Sequence, residues 1–240
     1  MKHSIIGLIG GMSWHSTMVY YQTLNAAFYR ESPASQNAEV ILISVDGSQI
    51  ERWLKQHDFD SVEEALVEKL QILQSAGATI ALVACNSVHV VSNNLEKSID
   101  IPLIHIADPV ATELSRSNYK TVGLLATLCT QSNQIYEKAL RKLGIKIVYP
   151  SANDAKTLNK IIFEDLCVGS SGRNHVVEKM AHDLITRGAE AVVLGCTELS
   201  IVFEQKKLGI RLYDSAKIHA STVGRIAALG EVSKIALEEY

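Results

Sequence analysis

Short apolar runs alternate along this chain with segments of helical periodicity, and this alternation constrains the fold more than any other feature. Apolar runs of this length are typical of parallel strands that helices cover on both faces. The pattern predicts repeated βα units and therefore an α/β fold with parallel sheets. The predicted strands are Ile5–Ile9, Val40–Val45, Ile80–Ala84, Leu103–Ile106, Val122–Ala126, Ile145–Val148, Ala191–Leu194 and Ile210–Tyr213.

The two halves of the chain repeat the same order of parts. The segment Gly7–Ile9 resembles Gly123–Leu125, and the predicted helices Val62–Ala76 and His175–Arg187 each end before a glycine. We therefore predict two similar parallel-sheet α/β domains related by pseudo-twofold symmetry. The alternative is that the likeness is only what any two α/β units share.

The predicted first domain comprises residues 1–115 and 218–240, and the second comprises residues 116–217. The boundary is placed near Ser115–Lys120, where the composition turns polar. The last helix, Ile218–Leu229, has no strand after it, which favours packing back onto the first domain. We expect the active site in a cleft between the domains, because clefts at domain junctions commonly bind ligands.

Charge and hydropathy argue against several classes of partner. The net charge is -3 and there is no basic stripe with interleaved aromatic residues, so we expect no nucleic-acid binding. No apolar run approaches the roughly 18 residues of a membrane span, and the short N-terminal run is interpreted as a strand rather than a signal peptide. The length of the chain and the lack of a recognisable secretory signal favour four thiols in a cytoplasmic protein over disulfides, and the sequence contains no Cys-x-x-Cys pair.

Cys85 and Cys196 each lie at the end of an apolar run, at matching places in the two halves. The carboxyl ends of parallel strands are where open α/β sheets bind ligands. Two such thiols could flank one small molecule, remove a proton from one face of a carbon and return it to the other. The alternative is that both are buried core cysteines, which are common.

Polar residues follow each cysteine directly. Asn86 and Ser87 follow the first, and Thr197 and Glu198 follow the second. At the start of a helix, their side chains and N–H groups could hold the carboxylate and ammonium of an amino acid. The helix N-terminus would also lower each thiol pKa. The Cys85-to-His89 spacing supplies too few ligands for a zinc site, so no metal is predicted.

The loop after the first predicted strand reads Gly10–Thr17. Its glycines allow close approach to a ligand, and Ser13, Ser16 or Thr17 could cap the following helix. The glycine spacing matches neither the dinucleotide fingerprint nor the P-loop. Met12 and Ser13 are candidate substrate contacts, and a capped tight turn is the alternative.

Other polar residues are weaker candidates. Thr130 is the expected polar contact after the first strand of the second half, in preference to its neighbour Cys129. Cys167 lies in an apolar helical pattern and is expected in the core. His219 could polarise the Cys196 side, or it could be structural.

Several motifs in chain order resemble the aspartate/glutamate racemase family, and the resemblance covers nearly the whole chain. Those motifs are Gly10–Trp14 with Ser16, Thr17, Tyr20 and Tyr21; Ser44–Asp46; Cys85–His89; Ile104–Asp108; Ile161–Leu166; Leu194–Leu199; and Ile218–Ala220.

The resemblance implies two pseudosymmetric α/β domains, often a homodimer, and racemisation of an amino acid without a cofactor. It makes Cys85 and Cys196 the acid/base pair, with Cys196 assigned to the proton of the L-enantiomer and Cys85 to that of the D-enantiomer. No lysine site for pyridoxal phosphate is evident, and we expect no cofactor. A small amino acid, aspartate or glutamate, is the expected partner of the site.

Two departures from the family pattern concern the side-chain carboxylate of the substrate. Arg52 could bind it, but the residues around Arg52 differ from the family's usual aromatic and acidic run. Some aspartate racemases place a lysine shortly after the helix that ends at Leu166, whereas here Val168–Arg173 contains none. The alternatives are a racemase of broader specificity or a non-catalytic small-molecule-binding member of the same fold. Maleate isomerisation or malonate decarboxylation on this fold is more distant, because the paired cysteine motifs disfavour them.

Overall fold

The computed structural model describes residues 4–32, 36–170, 173–203 and 209–232. Within these ranges seven strands form two parallel sheets, so the predicted fold class is confirmed. The first sheet contains β1 (Ile5–Gly10), β2 (Glu39–Ser44) and β3 (Ile80–Val83) in the order β2-β1-β3.

The second sheet contains four strands in the order β5-β4-β6-β7. They are β4 (Thr121–Ala126), β5 (Lys146–Val148), β6 (Ala191–Gly195) and β7 (Leu212–Asp214). In each sheet the first strand lies between the second and the third, so the two sheets share one topology.

Helices connect the strands, as parallel pairing requires. Those of the first half are α1 (Trp14–Glu31), α2 (Gly47–Gln56), α3 (Phe59–Ser75), α4 (Ser92–Lys97) and α5 (Ala107–Ser115). Those of the second half are α6 (Leu128–Ser132), α7 (Glu137–Lys142), α8 (Ala152–Glu164), α9 (Asn174–Thr186), α10 (Leu199–Phe203) and α11 (Ser215–Leu229).

One predicted strand, Leu103–Ile106, is reduced to a single bridge. Leu103 pairs in parallel with Ala81 of β3 and the ladder goes no further. The backbone N–H of Ala81 donates to Pro102 and that of Ile104 donates to Ala81, after which the chain leaves the sheet for α5. The bridge occupies the place beside β3 that β7 occupies beside β6.

The chain divides into two compact units. One runs to Ile106 and resumes at Lys217, and the other spans Ala107–Ala216. Helix α5, which the sequence analysis assigned to the first domain, therefore belongs to the second, where it contacts α7. The passage back to the first unit occurs in the first turn of α11.

Each unit has its own apolar core. In the first, Leu66, Leu70 and Leu73 of α3 are fully buried against the face of β1 and β3. In the second, Leu158 and Ile161 of α8 are buried together with side chains of α9, β4 and β6. Burying each such side chain contributes roughly 1.5–3 kcal/mol, which fixes the strand ends from which the polar loops emerge.

Candidate active site

The carboxyl ends of β1 and β3 define the candidate site in the first unit. These strands are neighbours, with Ile9 paired to Val83. The connections from β1 lead first to β2 on one side and then to β3 on the other, so the strand order reverses between β1 and β3. Such a reversal opens the crevice in which α/β sheets bind ligands. The predicted residues Met12, Ser13, Cys85, Asn86 and Ser87 all follow these two strand ends.

A glycine, Gly11, lets the loop after β1 pass close to the backbone of Val45. Gly11 has φ +96°, and a Cβ there would collide with the backbone of Val45. The N–H of Gly11 donates to Thr17 Oγ1 at 2.8 Å, and that hydroxyl donates to the carbonyl of Ser13 at 2.8 Å. Of the three candidate caps, Ser13 is the N-cap of α1, since its Oγ accepts from the N–H of Ser16 at 3.4 Å. Met12 is half-buried beside it.

Cys85 is half-buried and lies two positions after the end of β3. Its carbonyl accepts a hydrogen bond from His89 Nδ1 at 2.8 Å. Asn86 and Ser87 are 3% and 7% exposed. The segment after Cys85 was predicted to start an α-helix. Instead, Ser87–Val91 forms a 3₁₀ turn, and the α-helix begins only at Ser92.

Three histidines and a tyrosine cluster next to Cys85, and all of them except the half-buried His105 are buried. The rings of His89 and His105 meet edge to face with centroids 4.7 Å apart, and those of His89 and His219 lie 6.1 Å apart. His219 Nε2 donates to the carbonyl of Ile104 at 2.9 Å, and its Nδ1 accepts from the hydroxyl of Tyr20 at 3.0 Å. Burial lowers the pKa of His89 to about 4 and that of His219 to about 3, so both rings are neutral.

This cluster corrects the suggestion that His219 serves the Cys196 side. Both of its ring nitrogens are engaged within the first unit. Tyr20 was noted only as part of a motif, and its partner lies 199 positions away in sequence. No local signal identifies a contact of that separation.

The second unit presents the equivalent reversal between β4 and β6, where Ala126 pairs with Gly195. Thr127 caps α6 after β4, and its hydroxyl donates to Thr130 Oγ1 at 3.0 Å. Thr130 is fully buried. Its role as a substrate contact stays a prediction. Thr127 is a polar residue at this strand end that the sequence analysis did not single out.

Cys196, Thr197 and Glu198 follow β6 and are 7%, 5% and 3% exposed. The Sγ of Cys196 donates to Glu198 Oε2 at 3.2 Å, and Thr197 Oγ1 donates to the same oxygen at 2.7 Å. Burial, followed by the negative charge of Glu198, raises the pKa of the Cys196 thiol well above its usual value. The predicted lowering of this pKa by a helix N-terminus is therefore wrong. Helix α10 has only five residues and begins three positions after Cys196, at Leu199. The carboxylate of Glu198 is in direct contact with the sulfur and has the opposite effect on its pKa.

The strand end beside Cys196 carries a second polar group. Asp214 ends β7, where its Oδ2 accepts from Ser200 Oγ at 2.6 Å and its Oδ1 accepts from the N–H of Ala216 at 3.1 Å. Ser215 Oγ donates to the carbonyl of Leu194 in β6 at 2.7 Å. The fully buried Tyr136 hydrogen-bonds with Ser215, and its burial raises the pKa of the phenol.

Arg52 is the predicted contact for the substrate side chain, and Arg173 ends the segment in which some aspartate racemases place a lysine. Arg52 lies on α2, exposed to solvent, and its charge helps to lower the pKa of Asp46, although hydrogen bonds from Ser48 lower that pKa more. Arg173 donates to both oxygens of Asp165, from Nε at 2.5 Å and from one terminal nitrogen at 2.6 Å. Glu164 accepts from the same guanidinium at 3.3 Å. Arg173 is thus paired with carboxylates of its own unit.

All four cysteines lie within the described residues, and each is a thiol rather than half of a disulfide. Over the described ranges, no group of three or more histidine, cysteine, aspartate or glutamate side chains is arranged to hold a metal ion. Within the same ranges, no helix combines the length and apolar character that crossing a bilayer requires.

The family model for Asp/Glu/hydantoin racemases matches residues 9–223, and the chain belongs to this family. The family is one of racemases, which are isomerases. The match includes both cysteine segments, the end of β1 and every later strand from β2 to β7.

Relatives of known sequence or structure agree with this membership. The chain is 23% identical over 172 residues to the broad specificity amino-acid racemase RacX of Bacillus subtilis, covering 71% of this chain and 75% of RacX. A crystal structure of a Yersinia pestis protein assigned as an Asp/Glu racemase aligns with a TM-score of 0.83 at 31% identity, over 93% of this chain and 99% of that one. PH1733 of Pyrococcus horikoshii, an aspartate racemase homologue, aligns with a TM-score of 0.78 at 28% identity, over 95% and 100% of the two chains.

Proposed function

We propose that this protein interconverts the L- and D-enantiomers of aspartate, glutamate or both, without a cofactor, using Cys85 and Cys196 as the acid/base pair. The observation that carries the proposal is the repeated placement of a thiol. In each unit one cysteine follows the third strand of its sheet, where the strand order reverses: Cys85 lies two positions after the end of β3, and Cys196 directly follows β6. Membership in a racemase family supports the same reaction.

In this mechanism one cysteine acts as a thiolate and removes the α-proton, and the other acts as a thiol and delivers a proton to the opposite face of Cα. The roles reverse for the other enantiomer. Cys196 is held as a thiol, since its pKa is raised and its Sγ donates to Glu198. The resting state therefore suits proton removal from the D-enantiomer by Cys85 and delivery by Cys196 to form the L-enantiomer.

The α-proton of an amino acid is a very weak acid, so the carbanion that forms must be stabilised. Donors around the substrate carboxylate supply this stabilisation best when they are fixed and shielded from water. Asn86 and Ser87 are buried beside Cys85 and are the proposed side-chain donors. Thr197, buried beside Cys196, is the proposed donor through its backbone N–H, because its hydroxyl donates to Glu198. Met12 and Ser13, in the loop after β1, are the proposed further contacts.

We also propose that the protein is cytoplasmic and forms a homodimer. Four cysteines in the thiol state support a reducing, cytoplasmic location. The resemblance to the aspartate/glutamate racemases supports a homodimer.

A broader amino-acid racemase is the second candidate, and the cation positions favour it. Arg173 is engaged by Asp165 and Glu164, and Arg52 is exposed on α2, so neither is a buried cation reserved for a second carboxylate. RacX, a relative of this chain, is a broad specificity racemase.

The test is α-proton exchange in D₂O with chiral separation. Dialysed protein without added cofactor is incubated with L-aspartate, L-glutamate and a panel that includes L-alanine, L-methionine and L-lysine. Deuterated D-product from aspartate or glutamate alone is the expected result. Product from the wider panel would favour broad specificity, and binding without exchange for any amino acid would overturn the catalytic proposal.

A further inference from the structure

The carboxylate of Glu198 lies against the sulfur that the proposed reaction uses. Cys196 Sγ donates to Glu198 Oε2 at 3.2 Å, and Thr197 Oγ1 donates to that same oxygen at 2.7 Å. All three side chains are more than nine-tenths buried. The carboxylate is therefore held by the cysteine and its neighbour, rather than directed into solvent as a residue awaiting a substrate ammonium would be.

Other titratable groups also face Cys196, and they differ from Glu198 in kind. The thiol of Cys167, on the 3₁₀ turn Leu166–Val168, adds to the raised pKa of Cys196 after burial and Glu198. Burial raises the pKa of the Tyr136 phenol most, and the charges of Asp214, at the end of β7, and of Cys196 raise it further. The phenol of Tyr136 hydrogen-bonds with Ser215, and the carboxylate of Asp214 accepts from Ser200 and Ala216. Glu198 differs from these groups because its carboxylate accepts a hydrogen bond from the sulfur of Cys196.

We propose that Glu198 is the proton partner of Cys196 rather than a substrate-binding residue. The proton on Sγ moves to Glu198 Oε2, which leaves a thiolate and a neutral carboxylic acid. The reverse transfer restores the thiol and the carboxylate. One proton is shared by the pair throughout, and no other reactant is needed.

This role gives Cys196 access to both states that a two-way racemase requires. In the resting pair the proton is on sulfur, which is the state that delivers a proton. Transfer to Glu198 generates the thiolate that removes one, inside a site from which bulk water is excluded. Thr197 steadies the shared oxygen in both states by donating to it. The inference rests on the proposed function for its catalytic consequence, but the hydrogen-bonded pair itself can be tested without turnover.

The first measurement is the infrared S–H stretching band of Cys196 in the full-length protein, identified by its absence in Cys196→Ser. In Glu198→Gln we expect the band to move to higher frequency, because the charged acceptor is lost. We also expect it to disappear at lower pH than in the wild type, because removing the nearby negative charge lowers the thiol pKa. A band with unchanged frequency and titration would overturn the pair.

The second measurement is kcat/KM with the substrate found in the exchange assay. Glu198→Gln should reduce it on the order of 10²-fold or more, as loss of a proton-transfer group does. Glu198→Asp keeps a carboxylate and should recover part of the activity, which a purely structural role would not predict. Glu190→Gln is the matched control, because this exposed carboxylate precedes the opposite end of β6 and caps backbone N–H groups of Lys120 and Thr121.

The two readouts separate the possible failures. Full activity in Glu198→Gln, even with a shifted band, would overturn the proton-partner role. A wild-type protein that exchanges no α-proton would overturn the proposed function, and the infrared titration would still decide whether the Cys196 thiol is paired with the Glu198 carboxylate.

Discussion

At the scale of single residues, the two cysteines have different surroundings. Cys85 is half-buried, and its backbone carbonyl accepts a hydrogen bond from His89. Cys196 is almost completely buried, and its sulfur is held by Glu198. The hydrogen bond shown at Cys85 is thus made by its backbone carbonyl, whereas the one shown at Cys196 is made by its sulfur.

Replacing either cysteine should separate racemisation from exchange. Cys85→Ala and Cys196→Ala should each reduce racemisation by roughly 10²–10⁴-fold or more, because each removes one of two proton-transfer groups. If Cys85 serves the D-enantiomer, Cys196→Ala should still exchange the α-proton of the D-substrate with D₂O without inverting it. Chiral chromatography with mass spectrometry measures both. Cys129→Ala is the matched control, and near wild-type turnover in either active-site variant would contradict the two-base mechanism.

Gly11 is required by its backbone conformation and by its surroundings. Its φ is +96°, and a Cβ would collide with Val45, whereas Gly144 has φ +71° and open space around it. Gly144→Ala should cost about 1 kcal/mol from backbone strain alone. Gly11→Ala should cost about 1–3 kcal/mol more, because the backbone of the β2–α2 loop must move. Urea unfolding measures both, and equal losses would show that the contact with Val45 is unimportant.

At the scale of elements, α11 packs so closely on α1 that a side chain does not fit between them. Gly224 of α11 lies against the carbonyl of Leu24, and a Cβ on it would also approach Ala27 at 3.2 Å. Both helices belong to the first unit, to which α11 returns from the second. This contact helps to attach the C-terminal helix to the sheet that carries Cys85.

The contact decides the sign of a simple substitution. In an exposed helix, Gly→Ala stabilises by about 0.5–1 kcal/mol. Gly224→Ala should instead destabilise by about 1–3 kcal/mol, because overpacking against a backbone carbonyl outweighs the gain in helix propensity. Arg225→Ala, at the exposed neighbouring position, should change the free energy of unfolding by less than about 0.5 kcal/mol. Thermal and urea unfolding provide the comparison, and a stabilised Gly224→Ala protein would disprove the close packing.

At the scale of the whole molecule, the buried histidines link folding to pH. His89 and His219 have pKa values lowered to about 4 and about 3 in the folded protein, from 6.5 for an ordinary histidine. The unfolded chain therefore binds protons more readily as the pH falls below 6.5. The stability that the two neutral rings contribute is complete above that pH and is lost progressively towards pH 3–4.

The free energy of unfolding should accordingly fall with decreasing pH, by up to about 1.4 kcal/mol per pH unit for each histidine. His219→Gln should remove one share of this slope, whatever it does to the stability at pH 7. His182→Gln, on the exposed face of α9, should leave the slope unchanged. Urea unfolding between pH 4 and pH 7 measures the slope, and identical slopes in the wild type and His219→Gln would refute the link.

The fold could be predicted from the sequence because its signals are local. Apolar runs of strand length, helices that end at Gly77 and Gly188, and a cap at Ser13 depend on neighbours a few positions away. The strand Leu103–Ile106 was overestimated because a short apolar run cannot show how far its partner continues. The domain boundary was placed too late for α5, because its assignment depends on packing with α7.

The sequence by itself determined the α/β class, the repeated order of strands and the two cysteine positions. Only the tertiary structure decided what surrounds those positions. It bonded Glu198 to the sulfur of Cys196, enclosed Thr130 with Thr127, and joined His219 to Tyr20 across most of the chain. The reason is physical: strand and helix patterns arise from local periodicity, whereas burial and the hydrogen bonds that satisfy buried polar groups depend on which distant segments the fold brings together.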